Sequence, residues 1–277
     1  MHRLTRYGYP AHLIGAEKVA ELEPALNLPP SVHEAAWFPD EGYLITEPLV
    51  SHLVALAIQR GATLLTGEHG RVISLDLAAN RVRTLRTATG QAIGVDAVVC
   101  CGGRWVPELA EMSGAACPVP LVPWATPGAV APALVVVAGP VKPSGPTRVI
   151  HGPEICLRPD GDGLVHLEAD DAAVDMHTPR ADMRRWATVL LSRAQRAVGG
   201  LEDAEVLDYR VCVRPMPVDG QPIVGWIPGV DGLYVAVTHS GMTVGLRLAE
   251  LICTELVSDA PLAELAPYRP DRFTPSA

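Results

Sequence analysis

The 277-residue chain is 48% hydrophobic and 19% charged, which supplies a substantial core and excludes the charge excess of extended disorder. Its net charge of −9 comes without a basic cluster on any recognisable groove element, so nucleic acid is excluded as an expected partner. No apolar run approaches the roughly 20 residues of a membrane span, residues 1–15 hold no signal-peptide core, and the six cysteines and nine histidines are scattered without metal-type spacing; the expectation is a cytoplasmic protein with no membrane partner and no metal site.

In chain order, "GAEKVAELEPALNLPP" (15–30) predicts a short cover helix closed by Pro29 and Pro30, with Val19, Leu22 and Leu26 at helical spacing. A possible strand at Trp37 and Phe38 follows. Next comes a helix capped by Thr46, with Pro48 in its first turn, Leu49, Leu53, Leu56 and Ala57 on one face, and Gly61 just past its end. "ATLL" (62–65) then reads as a strand. Residues 71–92 alternate apolar and polar side chains, with turns at Ala79-Asn80 and Thr89-Gly90, and predict antiparallel strands.

"VDAVVCCGGRWVPELAEMSG" (95–114) is an apolar strand, two glycines that let something approach the backbone, and a helix from Val106 to Met112. The proline-rich stretch 118–146 suggests edge strands and loops. A hairpin turning at Asp160 to Gly163 follows, and then an amphipathic helix over 178–198, with Thr178 as its cap and Gly199-Gly200 as its stop. The tail after Ser258 is expected to be irregular.

The stretch "RVCVRPMPVDGQPIVGWIPGVDGLYVAVTHSGMTVG" (210–245) carries the chemistry. A strand ends at Arg214, Asp219-Gly220 turns the chain into a second strand, and a buried strand leads through a polar turn into a long helix whose free N–H groups suit an anion. Taken singly, these residues also fit plain structural roles: a strand-end arginine, a hairpin turn and a satisfied histidine.

Taken in order, "RPMPVDGQPIVG", the apolar strand and "THSGMTVGLRLAELI" resemble the C-terminal end of the D-amino-acid oxidase family of FAD-dependent oxidoreductases, the glycine oxidase and sarcosine oxidase group. "VDAVVCCGGRWVPELAEMSG" resembles that family's internal flavin-contacting segment. The resemblance runs from the first helix to about Val257. It implies a mixed α/β fold, FAD as cofactor, an incomplete nucleotide-binding domain and an antiparallel substrate-binding sheet. The implied layout is one interleaved body, 1–257, with FAD-binding elements at about 47–113 and 209–257, a substrate-binding part at about 118–208, and a tail, 258–277.

By the same resemblance, Arg214 pairs with a substrate carboxylate, which suits a planar guanidinium. Cys101, Gly102 and Gly103 bring backbone to the cofactor and Trp105 packs beside it. His239, Ser240, Gly241 and Met242 form the loop at the flavin's pyrimidine edge, Gly225 and Asp219 shape a turn with a possible cofactor contact, and Val72 offers backbone to the adenine end. Cys212 lies where some members attach flavin covalently, although a buried thiol is its ordinary outcome. No catalytic acid or base is implied, because an uncharged amine passes hydride to flavin.

The chain has no strand followed by G-x-G-x-x-G and no acidic residue after a second strand. Those groups hold the pyrophosphate and ribose, so the expected grip on FAD is weakened. The expected partner is a small amine or amino acid: glycine, sarcosine or a D-amino acid. The alternative is an N-terminally truncated, non-catalytic fragment or a subunit that needs a complementing chain or homo-oligomer to bind FAD. A gene start placed too late and a deletion are the other sources of such a sequence.

Overall fold

The computed structural model describes residues 4, 6–114, 119–123 and 131–274. In chain order its elements are β1 (His12–Gly15), α1 (Ala16–Leu22), β2 (Glu34–Trp37), α2 (Thr46–Gln59), β3 (Val72–Ala78), β4 (Arg81–Thr87), β5 (Ala92–Gly94), β6 (Val98–Cys100) and α3 (Val106–Glu111). They continue with β7 (Pro132–Gly139), β8 (Ile150–His151), β9 (Cys156–Pro159), β10 (Val165–Glu168), α4 (Arg180–Ala197), β11 (Glu205–Val213), β12 (Ile223–Trp226), β13 (Leu233–Val237) and α5 (Gly241–Ser258). The chain divides into two compact units, each drawn from two stretches: Met1–Ile45 with Trp124–Cys212, and Thr46–Pro123 with Val213–Ala277.

The first unit is built on a five-stranded sheet in the order β11-β7-β10-β9-β8, with a separate antiparallel ribbon, β1-β2. Helix α4 covers one face of the sheet. Its sequence is rich in Ala, Arg and Leu, which are strong helix formers. Ala187, Leu190, Leu191 and Ala194 fall at helical spacing and are the buried positions. They pack with Leu134, Val136, Val165 and Leu167 of β7 and β10 into one core cluster. Each fully buried Leu there stabilises the unit by about 1.5–3 kcal/mol relative to an exposed one.

The stretch expected to hold only edge strands thus contains β7, flanked in its sheet by β11 and β10. Its one proline, Pro132, is the first residue and leaves the ladder intact. The expected Thr178 cap is also corrected: Pro179 precedes the helix, and the Thr178 hydroxyl accepts a bond from the Asp175 amide and donates one to the Asp175 carboxylate.

The second unit holds a three-stranded sheet, β12-β13-β6, and a three-stranded meander, β3-β4-β5. The β3-β4 turn falls at Ala79-Asn80, both in the left-handed region, where the sequence placed it. Strand β6 pairs in parallel with β13, in the register Val98 to Leu233 and Cys100 to Val235. Val82, Val106, Ile223, Leu233 and Val235 form the core between these layers.

Two expectations in this unit fail. Residues 62–65 form no strand, because no neighbour pairs with them among the described residues. The described part of the tail, through Thr274, is not irregular: Ala263–Tyr268 and Pro270–Phe273 are 3₁₀ helices. Arg269 holds them by donating to both carboxylate oxygens of buried Glu255, whose Oε1 also accepts from the Tyr234 hydroxyl. Arg272 adds a fork onto Asp219.

Candidate functional site

Because β6 and β13 run parallel, their carboxyl ends open on the same edge of the sheet. In open α/β sheets that edge is where ligands enter. Cys100 leads into Cys101, Gly102 and a 3₁₀ turn, Gly103–Trp105, while β13 leads through Thr238, His239 and Ser240 into α5. The parallel pairing of β6 with β13 therefore places the segments that follow them, Cys101-Gly102 and His239–Met242, at the same edge of the sheet.

The turn between β13 and α5 is organised locally. The Ser240 amide donates to the Thr238 hydroxyl at 3.2 Å, and the Ser240 hydroxyl lies 2.9 Å from His239 Nδ1. Val244 N donates to Ser240 O, the first bond of the helix. The amides of Gly241, Met242 and Thr243 come before that bond and have no acceptor inside the helix. No acidic side chain sits in the first turn, so the positive end of the helix dipole is not neutralised from within. A Cβ on Gly241 or Gly245 would meet nothing within 4 Å.

Gly103 adopts φ +58 in the left-handed region, and a Cβ there would lie 3.8 Å from Pro215 Cγ. Pro215 follows Arg214, so the end of β11 is carried to the glycine turn. Trp105 is 52% exposed and Arg104 lies over its ring at 4.3 Å. Burial pushes the Cys100 thiol up and keeps it protonated at neutral pH.

The remaining predicted residues sit elsewhere in the same unit. Val72 opens β3, paired with Thr87, and packs against the core. Gly225 is paired with Val235 in β12, at φ +152, and a Cβ there would come within 2.9 Å of Pro270 Cδ. Its lack of a side chain therefore makes room for the tail. Asp219 is the carboxylate gripped by Arg272. Sequence reasoning missed the Arg104 stack and the Thr238 hydroxyl; a threonine two residues before a helix-leading serine is the local signal for the second.

The family described as FAD dependent oxidoreductase (DAO) matches residues 1–254. The chain belongs to the DAO family. The fold of this DAO-family chain is the mixed α/β fold of solved FAD-dependent oxidoreductases. L-proline dehydrogenase from P. horikoshii superposes with a TM-score of 0.81 at 19% identity, over 97% of this chain and 70% of that one. By sequence, the chain is 30% identical over 251 residues to the bifunctional protein ThiO/ThiG of Synechocystis sp., covering 86% of this chain and 34% of that protein. It is 27% identical over 207 residues to glycine oxidase of Pseudomonas putida, covering 74% of this chain and 53% of that one. The chain thus spans about a third and about half of the lengths of these two curated relatives.

FAD is the cofactor of the family. The start of α5 after β13 fits the ring end of FAD, with open space at Gly241 and uncompensated amides before Val244, whereas Gly102 after β6 makes room for Leu109, which a Cβ there would meet at 2.8 Å. The structure adds no glycine-rich turn for the diphosphate among the described residues. No helix is long and apolar enough to cross a membrane, and no group of three or more His, Cys, Asp or Glu is placed to hold a metal, among the described residues.

Proposed function

We propose that this chain is the substrate-facing and flavin-facing part of an FAD-dependent oxidoreductase that oxidises the amine of a small amino acid of the glycine, sarcosine or D-amino-acid type. The observation that carries the reading is the meeting, at one sheet edge, of the Gly102-Gly103 turn and the His239–Met242 helix start, with Pro215 delivering the residue after β11 to that turn. FAD, when bound, would supply the hydride acceptor for the carbon bearing the neutral amine, which would leave as the imine (iminium). The chain's own part is positional and electrostatic. Arg214 holds the substrate carboxylate through a two-pronged guanidinium, Cys101, Gly102 and Trp105 hold the ring, and the amides of Gly241 and Met242 stabilise negative charge at its edge. Val72 is assigned to the adenine end of the cofactor, and Gly225 to the scaffold behind the site.

The domain reading goes with this: 47–113 and 209–257 for the cofactor, 118–208 for the substrate. The cysteines described are all free, which supports a reducing, cytoplasmic setting.

A second reading has support from α2. None of the fourteen residues of this apolar helix is buried, and β6 is the last strand of its sheet. Both are surfaces that a complementing polypeptide would cover, and FAD binding would then need that complement.

The test is a titration of FAD into the purified 277-residue chain, followed by visible absorption, and then anaerobic addition of glycine, sarcosine or D-alanine. A perturbed flavin spectrum at one FAD per chain, bleached by one of these amines, is the expected result. No spectral change at any FAD concentration sinks the first reading for the chain by itself, and restoration by an added G-x-G-x-x-G polypeptide selects the second.

A further inference from the structure

Strands β9 and β10 pair antiparallel, with Arg158 directly opposite His166. Leu157, Val165 and Leu167 beside them are buried in the core under α4, so alternation puts Arg158 and His166 on the other face of the sheet. The turn that joins the two strands brings Asp160 onto this pair. Arg158 Nη1 donates to Asp160 Oδ1 at 2.7 Å, His166 Nε2 lies 2.7 Å from Asp160 Oδ2, and Arg158 Nη2 lies 3.1 Å from His166 Nδ1. A guanidinium can only donate, so Nδ1 is the acceptor and the ring proton sits on Nε2, donated to Asp160. The three side chains are 24%, 18% and 19% exposed for Arg158, Asp160 and His166. Two contacts extend the cluster to residues 43–45: the Arg158 guanidinium lies 5.4 Å over the Tyr43 ring, and a Cβ on Gly161 would stand 3.6 Å from Ile45 Cδ1. The turn itself runs through three left-handed residues, Gly161, Asp162 and Gly163, a backbone that persists only where its surroundings hold it.

We propose that Arg158, Asp160 and His166 form a pH-sensitive clasp, closed over residues 43–45 while His166 is neutral and opened by a proton on His166 Nδ1. A proton there turns the acceptor that faces Arg158 into a second donor, so the Nδ1 contact breaks, and it sets a positive ring beside a guanidinium. The other groups around the ring give little relief. Asp160 already accepts from Nε2, β7 presents the apolar Val137 across from His166, and Arg210 of β11 adds positive charge. Glu168 stands two positions along β10, about 7 Å away. Burial first, then Arg158, holds the His166 ring below its ordinary value of 6.5, with Asp160 pulling the other way. The closed form therefore takes up the proton less readily than the open form. Each unit of pH below 6.5 favours opening by up to about tenfold, until the closed form's own value is reached. The core under α4 contains none of these groups, so the opening is confined to the turn and to residues 43–45. Those are the last residues of the first unit before the chain enters the second at Thr46, and the clasp sets how firmly that connection is anchored.

Hydrogen exchange read by mass spectrometry on the 277-residue chain, at about pH 7.5 and about pH 5, tests this without any flavin chemistry. Rates are normalised to those of the unstructured peptides at the same pH. Wild-type protection over 43–45 and 160–164 should fall roughly tenfold at the lower pH, while that of α4 stays within about twofold. In His166→Gln the amide N–H donates to Asp160, the amide oxygen accepts from Arg158, and neither titrates. Protection in that variant should agree within about twofold at the two pH values. Arg158→Met removes the opposing donor, so residues 160–164 should lose their acid response. Equal wild-type protection at both pH values, an acid-induced fall retained in His166→Gln, or a fall spread equally over α4 would each overturn the clasp. Far-UV circular dichroism confirms the fold of each variant, and Arg158→Met decides the case by itself: an acid response of wild-type size there overturns the clasp as well.

Discussion

Arg214 follows the last residue of β11 and precedes Pro215, so the proline ring holds its backbone in the extended region. In the FAD-loaded protein, Arg214→Lys keeps the charge and loses the fork, and the Michaelis constant for the amino acid should rise about ten- to a hundredfold, with a smaller change in turnover. An unchanged Michaelis constant would remove Arg214 from the site. Glu255 and Arg269 are a second residue-scale case. Burial alone would raise the Glu255 carboxyl, but the Arg269 guanidinium, the Leu262 amide and the Tyr234 hydroxyl together hold it below its ordinary value. Burial first, then the Glu255 charge, pushes the Tyr234 hydroxyl up to about 12. Arg269→Ala leaves that carboxylate buried with its strongest partner gone. Urea unfolding should show a loss of about 3 kcal/mol, the low end for such pairs because Arg269 keeps a fifth of its side chain in solvent.

At the scale of elements, α2 and α4 show what an apolar sequence does with and without a neighbour. Leu190 of α4 is fully buried, and Leu190→Ala should cost about 2–5 kcal/mol in a denaturant titration. Leu53 of α2 is 40% exposed. Leu53→Glu should move stability by less than about 0.5 kcal/mol while lowering binding of an apolar dye; a large loss of stability would mean that α2 is covered in solution. The same contrast explains what could be read in advance. The Ala79-Asn80 turn, the Gly102-Gly103 turn and the strand-to-helix turn at Ser240 were legible because each is specified by a few adjacent residues. The ordered tail was not: Arg272 reaches Asp219 across 53 positions, and no local pattern announces such a contact. Residues 62–65 have a strand's composition, but a strand also needs a partner, which composition does not contain. For β7 the prolines at its borders concealed an interior free of them. Within the site, the strand ends were legible, whereas the use of Gly225 to admit Pro270 depended on a segment far along the chain.

For the whole molecule, acid should be the sensitive side of the pH profile. The Glu202 carboxyl is held at about 2, mainly by the Gly200 amide and its own, with Lys142 adding to them. Asp219 is held below its ordinary value chiefly by Arg272, and Asp171 chiefly by Arg193. Depressed carboxyls contribute their stability in full above the unfolded value, near 4.5 for Glu202, and lose it as pH falls through the folded value. Thermal melts should therefore change little from pH 7 to 5 and drop progressively from about pH 4.5 toward 2; a flat profile across that window would show that these pairs are equally present in the unfolded chain. The interleaving of the two units also has a consequence in time. Thr46–Pro123 leaves the ribosome well before Val213–Ala277 has been made, at about 5–20 residues per second. For several seconds the nascent meander and β6 wait for β13, the strand that will lie beside β6, and no single cut in the chain yields two pieces that each hold a whole unit.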